Sequence, residues 1–204
     1  MTTEARFWDD ISEKYSKKAV PSEYIYQEKL RRTQKLFRKD SIVMEFGCGT
    51  GTTSLIHSPY VKKILAYDYS PGMIAIANRK KSEQQVSNVT FEVNSVEDVT
   101  FHSEAYDVIM AHSILHLTEN NEQIIKNTYD ALKPGGYFVS SSGCIKEMNV
   151  FIRNLIPVLT SVGKAPKITK FTANELIELH KKSGFKIYDA WPCKKGELFL
   201  IAQK

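Results

Sequence analysis

Residues 43–51 read VMEFGCGTG, an apolar run that meets an acidic residue and then three glycines. Glu45 precedes the glycines, and Gly47, Gly49 and Gly51 occupy every second position. Glycines at this density allow a sharp turn and let the backbone approach a ligand closely. A strand, a glycine-rich turn and a helix at the carboxyl edge of a doubly wound sheet form a typical nucleotide site. The stretch therefore predicts a strand–turn–helix unit with a ligand at its turn.

On both sides of this stretch, β-rich runs alternate with helical segments. Ser70 and Pro71 supply an N-cap and an N1 proline for one helix, and 133–136 (KPGG) ends another. Such alternation predicts an α/β fold with a parallel sheet covered on both faces. We predict strands at 41–46, 63–68, 89–93, 106–111 and 136–141, and helices near 52–57, 71–83 and 119–132.

The C-terminal part of the chain has a different pattern. Thr172 and Glu175 form a capping box, and Gly184 ends the helix that it opens. Two strands joined by about five residues then predict an antiparallel hairpin, so that one antiparallel strand completes the sheet. The predicted elements are a helix at 173–183, a strand at 185–191, a loop at 192–196 and a strand at 197–203.

Two further segments flank the alternating part. An N-terminal cap of two helices, 1–40, is interrupted by Pro21. The segment 143–171 has apolar residues at helical spacing with Pro157 as a kink, and it is either a packing helix or a lid over a substrate pocket. We predict one domain over 1–204, with the cap at 1–40, a ligand-binding core at 41–142, a lid insert at 143–171, and a final helix and hairpin at 172–204.

Composition sets the broad class of the protein. The chain has 204 residues, 42% of them hydrophobic and 25% charged, as in a soluble globular domain. Its net charge of +5 comes from scattered lysines, which disfavours a nucleic-acid partner. Three isolated cysteines suggest neither disulfides nor a metal site. Without a signal peptide or a run near 18 apolar residues, we expect a cytoplasmic protein without membrane insertion.

The residues around the glycines narrow the ligand. The dinucleotide pattern G-x-G-x-x-G fails because Thr52 stands at its third glycine, and the phosphate-loop pattern is absent. Glu45 would repel a pyrophosphate and attract a cation. Asp68 follows Gly51 by 17 residues, near the offset of an acid that binds ribose hydroxyls. A ligand with a ribose and positive charge fits, and S-adenosylmethionine has both.

The ordered motifs then resemble a known family. The stretch EFGCGTG, with Asp68 in AYDYSPGMI, is similar to the class I S-adenosylmethionine-dependent methyltransferases, and so are 88–98, 105–117 and 132–141. The resemblance covers 41–203, and FWDDISEKY at 7–15 is similar to small-molecule enzymes of the quinone-biosynthesis type. It implies a Rossmann-like seven-stranded sheet of order 3-2-1-4-5-7-6 with strand 7 antiparallel, in agreement with the predicted hairpin.

The resemblance also implies roles for individual residues. Glu45 would bind the methionine ammonium of S-adenosylmethionine, and Asp68 would accept hydrogen bonds from the ribose hydroxyls. Ser95 stands where the family often has an aspartate that binds the adenine amino group, which leaves that contact open. The predicted cofactor-binding residues are Glu45, Gly47, Cys48, Gly49, Gly51, Asp68, Tyr69, Met73, Ser95, Val96 and Ala111.

The acceptor side is less determined. Residues 111–113 (AHS) lack the [DNS]-P-P-[YFW] pattern of enzymes that methylate base or amide nitrogens, which disfavours nucleic-acid methylation. An apolar cover from the N-terminal segment and 148–162 would favour a small-molecule acceptor with an apolar portion. His112 and His116 are candidate general bases, although each could be a hydrogen-bonded structural histidine. A protein or RNA methyltransferase, or a non-catalytic S-adenosylmethionine-binding protein, remains an alternative, whereas Glu45 and Thr52 disfavour a nicotinamide dehydrogenase. The candidate substrate and lid residues are Phe7, Trp8, Tyr15 and Phe151.

Overall fold

The computed structural model describes residues 3–161 and 165–204. In these ranges the chain forms seven strands and seven α-helices, joined by turns and short 3-10 segments. The strands are β1 (Ile42–Phe46), β2 (Lys63–Asp68), β3 (Val89–Val93), β4 (Tyr106–His112), β5 (Leu132–Gly143), β6 (Lys186–Lys194) and β7 (Glu197–Gln203). The helices are α1 (Thr3–Ser16), α2 (Glu23–Gln34), α3 (Thr52–His57), α4 (Pro71–Glu83), α5 (Asn121–Ala131), α6 (Val150–Ser161) and α7 (Ala173–Lys182).

All seven strands form one sheet of order β3-β2-β1-β4-β5-β7-β6. Strands β1 to β5 pair in parallel, whereas β7 runs antiparallel to both β5 and β6. The predicted order and the antiparallel seventh strand are both confirmed. Because the carboxyl ends of β1, β4 and β5 point the same way, the turns after them meet at one edge.

The sheet is buried on both faces because successive side chains of a strand alternate between them. Val43 belongs to a cluster that includes Leu55 of α3 and Ile74 of α4. Its neighbour Met44 belongs to the other cluster, which includes Ile125 of α5 and further residues of α7. The near-continuous apolar sequence of β1 follows from this two-sided burial.

The two N-terminal helices are attached to different parts of the domain. On α1, Asp9 accepts hydrogen bonds from the Ser70 hydroxyl and from the Gly72 amide, the latter at 2.8 Å, at the N-terminus of α4. On α2, Arg32 binds the Asp189 carboxylate of β6 at 2.6 Å and stacks 4.5 Å above the Trp191 ring. The connecting segment 17–22 therefore crosses from one attachment to the other.

Several element boundaries differ from the predictions. Helices α3 and α4 have the predicted bounds, whereas α5 is shorter than 119–132 at both ends. Strand β5 starts at Leu132, since Leu132 pairs with Tyr106 beyond a register shift. The predicted loop 192–196 is mostly strand, because β6 continues to Lys194. Pro192 is tolerated there because β6 is an edge strand, where a missing amide leaves no ladder bond unmade.

The predicted helix within 143–171 is α6, which contains Pro157. Met148 packs against the turn between β6 and β7, where a Cβ on Gly196 would lie 2.6 Å from its Cγ. Phe151 is 84% exposed, so α6 presents apolar side chains to solvent. Val162, the last apolar position of the predicted pattern, lies outside the described residues. Across the described ranges, every helix is too short or too polar to cross a membrane.

Candidate functional site

The three glycines after β1 serve different purposes. Gly47, Gly49 and Gly51 all have positive φ, at 69°, 54° and 74°, where other residues are strained. A Cβ on Gly51 would lie 2.6 Å from Phe91, and one on Gly47 would lie 2.8 Å from Ile114, so packing also requires glycine at both positions. A Cβ on Gly49 would meet only Tyr15, at 4.0 Å. Gly49 therefore borders open space.

Asp68, at the end of β2, holds this turn in place. Its Oδ2 accepts a hydrogen bond from the Gly49 amide at 2.8 Å, and its Oδ1 accepts one from the Ser70 amide at 3.0 Å. The residue is 7% exposed, and burial raises the pKa of the carboxyl group. Each oxygen keeps acceptor capacity beyond its one backbone partner. Asp68 thus links the glycine turn to the start of α4.

Glu45 lies on β1 directly below the turn. It is 2% exposed, and the Ser54 hydroxyl of α3 donates a hydrogen bond to its Oε2. Burial raises the pKa of Glu45 to about 7, and the charge of Asp68 contributes in the same direction, whereas the Ser54 bond opposes it. A buried carboxylate without a cationic partner among the described residues favours a ligand that brings positive charge.

A cavity of about 560 Å³ opens beside Glu45 and Gly49. One wall comes from the segment around 15–33, and the opposite wall comes from the turns and strand ends of the sheet. We call the part bordered by Glu45, Gly47, Cys48 and Gly49 the turn end. The hairpin end is the part bordered by Lys29, His112, Ser141, Lys194 and Glu197.

His112 lies at the end of β4, in the floor of the hairpin end. It pairs with Ser141 of β5, which in turn pairs with Phe199 of β7. The imidazole stacks on the Phe199 ring with centroids 6.4 Å apart and an interplanar angle of 6°. Burial, reinforced by the positive charge of Lys29, lowers the pKa of His112 to about 3. The imidazole is therefore neutral at physiological pH.

Four residues from three distant parts of the sequence form a polar cluster beside His112. The Lys29 ammonium of α2 donates to Ser141 Oγ at 2.7 Å and forms an ion pair with Glu197. Lys194 binds the other oxygen of Glu197 at 2.8 Å. Burial favours the neutral acid, but the hydrogen bonds and charges of the two lysines lower the pKa of Glu197 to about 2. Glu197 is thus a carboxylate.

The structure brings only part of the predicted site to this cavity. His116 does not line it, and its Nδ1 lies 3.3 Å from the Gly143 amide, which donates to it. Of the four candidate lid residues, Tyr15 lines the cavity, whereas Phe7, Trp8 and Phe151 do not. The described residues of 143–162 are likewise missing from its lining.

Seven predicted cofactor residues lie outside the cavity lining. Met73 and Ala111 are 2% and 0% exposed and belong to the core. Val96 is also buried, and the Ser95 hydroxyl caps its own turn through Glu97. This conformation therefore exposes the glycine turn more than the surface expected to bind adenine. The residues concerned are Gly51, Asp68, Tyr69, Met73, Ser95, Val96 and Ala111.

Sequence reasoning missed the polar cluster of the hairpin end. Lys29 had no distinguishing signal in an amphipathic helix, and Glu197 stood at the start of a predicted strand. Ser113 offered a weak signal, because it follows a buried strand directly; its φ of 59° is unusual for a serine. The Ser113 amide donates to the Ser141 carbonyl at 2.7 Å, which fixes this turn beside the cavity.

Comparisons with known proteins agree with this geometry. The methyltransferase domain family matches residues 37–187. The malonyl-[acyl-carrier protein] O-methyltransferase of Bacillus cereus is 33% identical over 102 residues, covering 49% of this chain and 36% of that protein. The ubiquinone biosynthesis O-methyltransferase of Coxiella burnetii is 27% identical over 103 residues, covering 50% of this chain and 44% of that protein. The chain spans less than half the length of these relatives.

A solved structure shows the same fold. The S-adenosylmethionine-dependent methyltransferase from Mesorhizobium loti superposes with a TM-score of 0.73 at 17% identity, covering 88% of this chain and 98% of that one. The open space at Gly49 and the buried Glu45 carboxylate fit the cofactor of such proteins. The chain thus belongs to the methyltransferase domain family.

Proposed function

We propose that this protein transfers a methyl group from S-adenosylmethionine to a small-molecule acceptor with an apolar portion. One observation carries the proposal: a single cavity joins the Glu45–Gly49 turn to a second chamber under the N-terminal cap. A cavity of about 560 Å³ lies within the range of small-molecule sites. The two chambers give a methyl donor and an acceptor adjacent places.

The residues that would hold the cofactor lie at the turn end or directly beside it. Glu45 would bind the methionine ammonium, Gly49 would leave room for the backbone of the ligand, and Asp68 would offer its remaining lone pairs to ribose hydroxyls. The cofactor supplies a methyl group bonded to a sulfonium sulfur, and this sulfur is a good leaving group because it departs as a neutral thioether. The contribution of the chain is to hold that group and the acceptor in line, since positioning alone lowers such a barrier substantially.

The hairpin end would receive the acceptor. This chamber has an apolar wall formed by Val20, Pro21, Ile25 and Leu30. An apolar wall favours an acceptor with apolar surface. His112 faces this chamber as a neutral imidazole, so it would accept a hydrogen bond from an acceptor group and orient it. Of the two candidate histidines, the geometry favours His112.

The segment 143–171 stays part of the proposal as a lid. It follows β5 at the carboxyl edge of the sheet, where added elements commonly enclose ligands. On α6, Phe151 is 84% exposed and Leu155 is 53% exposed, and both side chains are apolar. Closure of α6 over a bound acceptor would bury these side chains and exclude water from the reacting groups.

The names of two relatives support an organic acceptor. One is a malonyl-[acyl-carrier protein] O-methyltransferase and the other is a ubiquinone biosynthesis O-methyltransferase. Both names describe O-methylation of acceptors other than nucleic acids. For the present chain they support an organic acceptor over RNA.

Methyl-label transfer tests the proposal. The full chain is incubated with methyl-labelled S-adenosylmethionine and, separately, a small-molecule extract, a protein fraction and total RNA. We expect label in the small-molecule arm, and less label there with Glu45→Gln. Label confined to protein or RNA would overturn the small-molecule assignment. Tight S-adenosylhomocysteine binding without label in any arm would favour a non-catalytic binding protein.

A further inference from the structure

The charges of the hairpin end are unbalanced. Among the described residues that line the cavity, three lysines are present: Lys18, Lys29 and Lys194. The acids of the lining are Glu45, at the turn end, and Glu197. Glu45 lies on β1 and Glu197 on β7, three strands apart, which corresponds to roughly 14 Å across a sheet. Of the two acids of the lining, Glu197 is therefore the one that lies close to Lys29 and Lys194.

The pairing of Glu197 leaves positive charge available to a ligand. Its carboxylate is shared between Lys29 and Lys194, whose side chains are 15% and 50% exposed. One carboxylate cannot neutralise two ammonium groups. Lys29 is held at a fixed place by Glu197 and by Ser141 Oγ at 2.7 Å. A preorganised, partly desolvated ammonium is a strong partner for an anion.

An apolar surface faces these charges. Val20, Pro21, Ile25 and Leu30 line the same cavity from the connecting segment 17–22 and from α2. The chamber thus combines a cationic end with an apolar wall, and a ligand that matches both has an anionic head and an apolar body.

The weak basicity of the side chains in the chamber also favours an anionic ligand. Burial lowers the pKa of His57 to about 4 and that of His112 to about 3, so neither imidazole is a strong base at neutral pH. The carboxylate of Glu197 is stabilised by two lysines and is a weak base as well. These side chains are poorly suited to deprotonate a neutral alcohol, whereas an acceptor that arrives ionised needs no base.

We infer that the methyl acceptor is an amphipathic organic acid whose anionic group binds Lys29 and Lys194 and whose apolar body lies against Val20, Pro21 and Ile25. That the bound acid is the methyl acceptor rests on the proposed function, whereas the anion subsite is a property of the cavity itself. It can therefore be tested by binding, without turnover and without knowledge of the natural acceptor.

A matched pair of fluorescent probes tests the subsite. The anion 8-anilinonaphthalene-1-sulfonate and the neutral N-phenyl-1-naphthylamine differ only by the sulfonate, and both brighten in apolar sites. Each is titrated into the full chain saturated with S-adenosylhomocysteine. We expect the sulfonate to bind about tenfold more tightly, the value of one charge-assisted hydrogen bond. Equal affinities of the two probes would overturn the inference.

Charge variants give changes of opposite sign that loss of structure alone would not produce. Lys29→Met and Lys194→Met should each weaken sulfonate binding several-fold and leave the neutral probe unchanged. Glu197→Gln should strengthen sulfonate binding, because it releases both lysines from their shared partner. Lys17→Met is the matched control, since Lys17 neighbours Lys18 but does not line the cavity.

The outcomes separate this inference from the proposed function. Lys194 is half exposed, so its variant should fold even if Lys29→Met does not. Sulfonate binding that is insensitive to Lys194→Met and to Glu197→Gln would place the probe elsewhere and contradict the subsite. Failure of methyl transfer with an intact sulfonate preference would contradict the proposed enzyme activity and leave the anion subsite standing.

Discussion

The two ends of the cavity are built in different ways. The turn end comes from residues close together in the sequence: Glu45 and its partner Ser54 are nine residues apart, and Asp68 follows shortly after. The hairpin end joins Lys29 to Ser141 and to Glu197 across separations of 112 and 168 residues. One end is therefore a local motif, and the other exists only when the N-terminal cap meets the C-terminal hairpin.

The two ends also differ in charge. The turn end holds Glu45, whose pKa is raised to about 7 by burial and, to a smaller extent, by the charge of Asp68. The hairpin end holds a carboxylate between two lysines, and its pKa is lowered to about 2. This contrast suits a cationic ligand at one end and an anionic ligand at the other.

The largest effect is expected at Asp68. Asp68→Ala removes the acceptor of the Gly49 amide and the proposed partner of the ribose hydroxyls. Losing two charge-assisted bonds, at about 1.5–3 kcal/mol each, should weaken S-adenosylhomocysteine binding about a hundredfold or more. Titration calorimetry measures this change. Asp40→Ala, at a side chain that is 75% exposed, is the control, and equal affinities of the two variants would contradict the role of Asp68.

A smaller, pH-dependent effect is expected at Glu45. Because its pKa lies near 7, wild-type affinity for S-adenosylhomocysteine should fall as the pH drops from 8 to 6, when protonation removes the charge that binds the ammonium. Glu45→Gln should bind about tenfold more weakly at pH 8 and show little dependence on pH. A pH profile of the variant that parallels the wild type would assign the titration to another group.

The same variant should stabilise the ligand-free protein. Since the folded pKa exceeds the ordinary value of 4.5, folding is penalised as the pH rises from about 4.5 to 7, and the penalty is fully present above 7. Glu45→Gln removes it, so the melting temperature at pH 8 should rise by about a few degrees. A lower melting temperature at pH 8 would show that the Ser54 bond outweighs the burial of charge.

The smallest effect is expected where the cap meets the hairpin. Arg32→Ala removes the ion pairs to Asp189 and Glu28 and the stacking on Trp191, which together contribute about 1 kcal/mol at this partly exposed position. The melting temperature should fall by about 2–4 °C with S-adenosylhomocysteine affinity unchanged. The melting temperature of Arg31→Ala should fall less, because this variant loses only the exposed ion pair with Glu28. A loss of cofactor affinity would mean that the two ends are coupled.

The sequence by itself determined the sheet and the turn end. Alternating apolar runs, the Ser70–Pro71 helix start and the Thr172–Glu175 capping box depend on neighbours in the chain, and each appears in the structure. Glu45 and Gly49 were recognisable for the same reason, because a strand–turn–helix unit fixes their geometry within a few residues.

Tertiary structure decided the rest. Whether β6 ends before or after Pro192 depends on its being an edge strand, and whether Met73 is exposed depends on what packs over α4. Lys29 became part of the cavity only because the docking of α2 brings its ammonium to Ser141 and Glu197. Contacts of this kind pair side chains with no periodic relation along the chain. Their energies arise from burial and charge in the assembled fold, so the sequence pattern contains no signal for them.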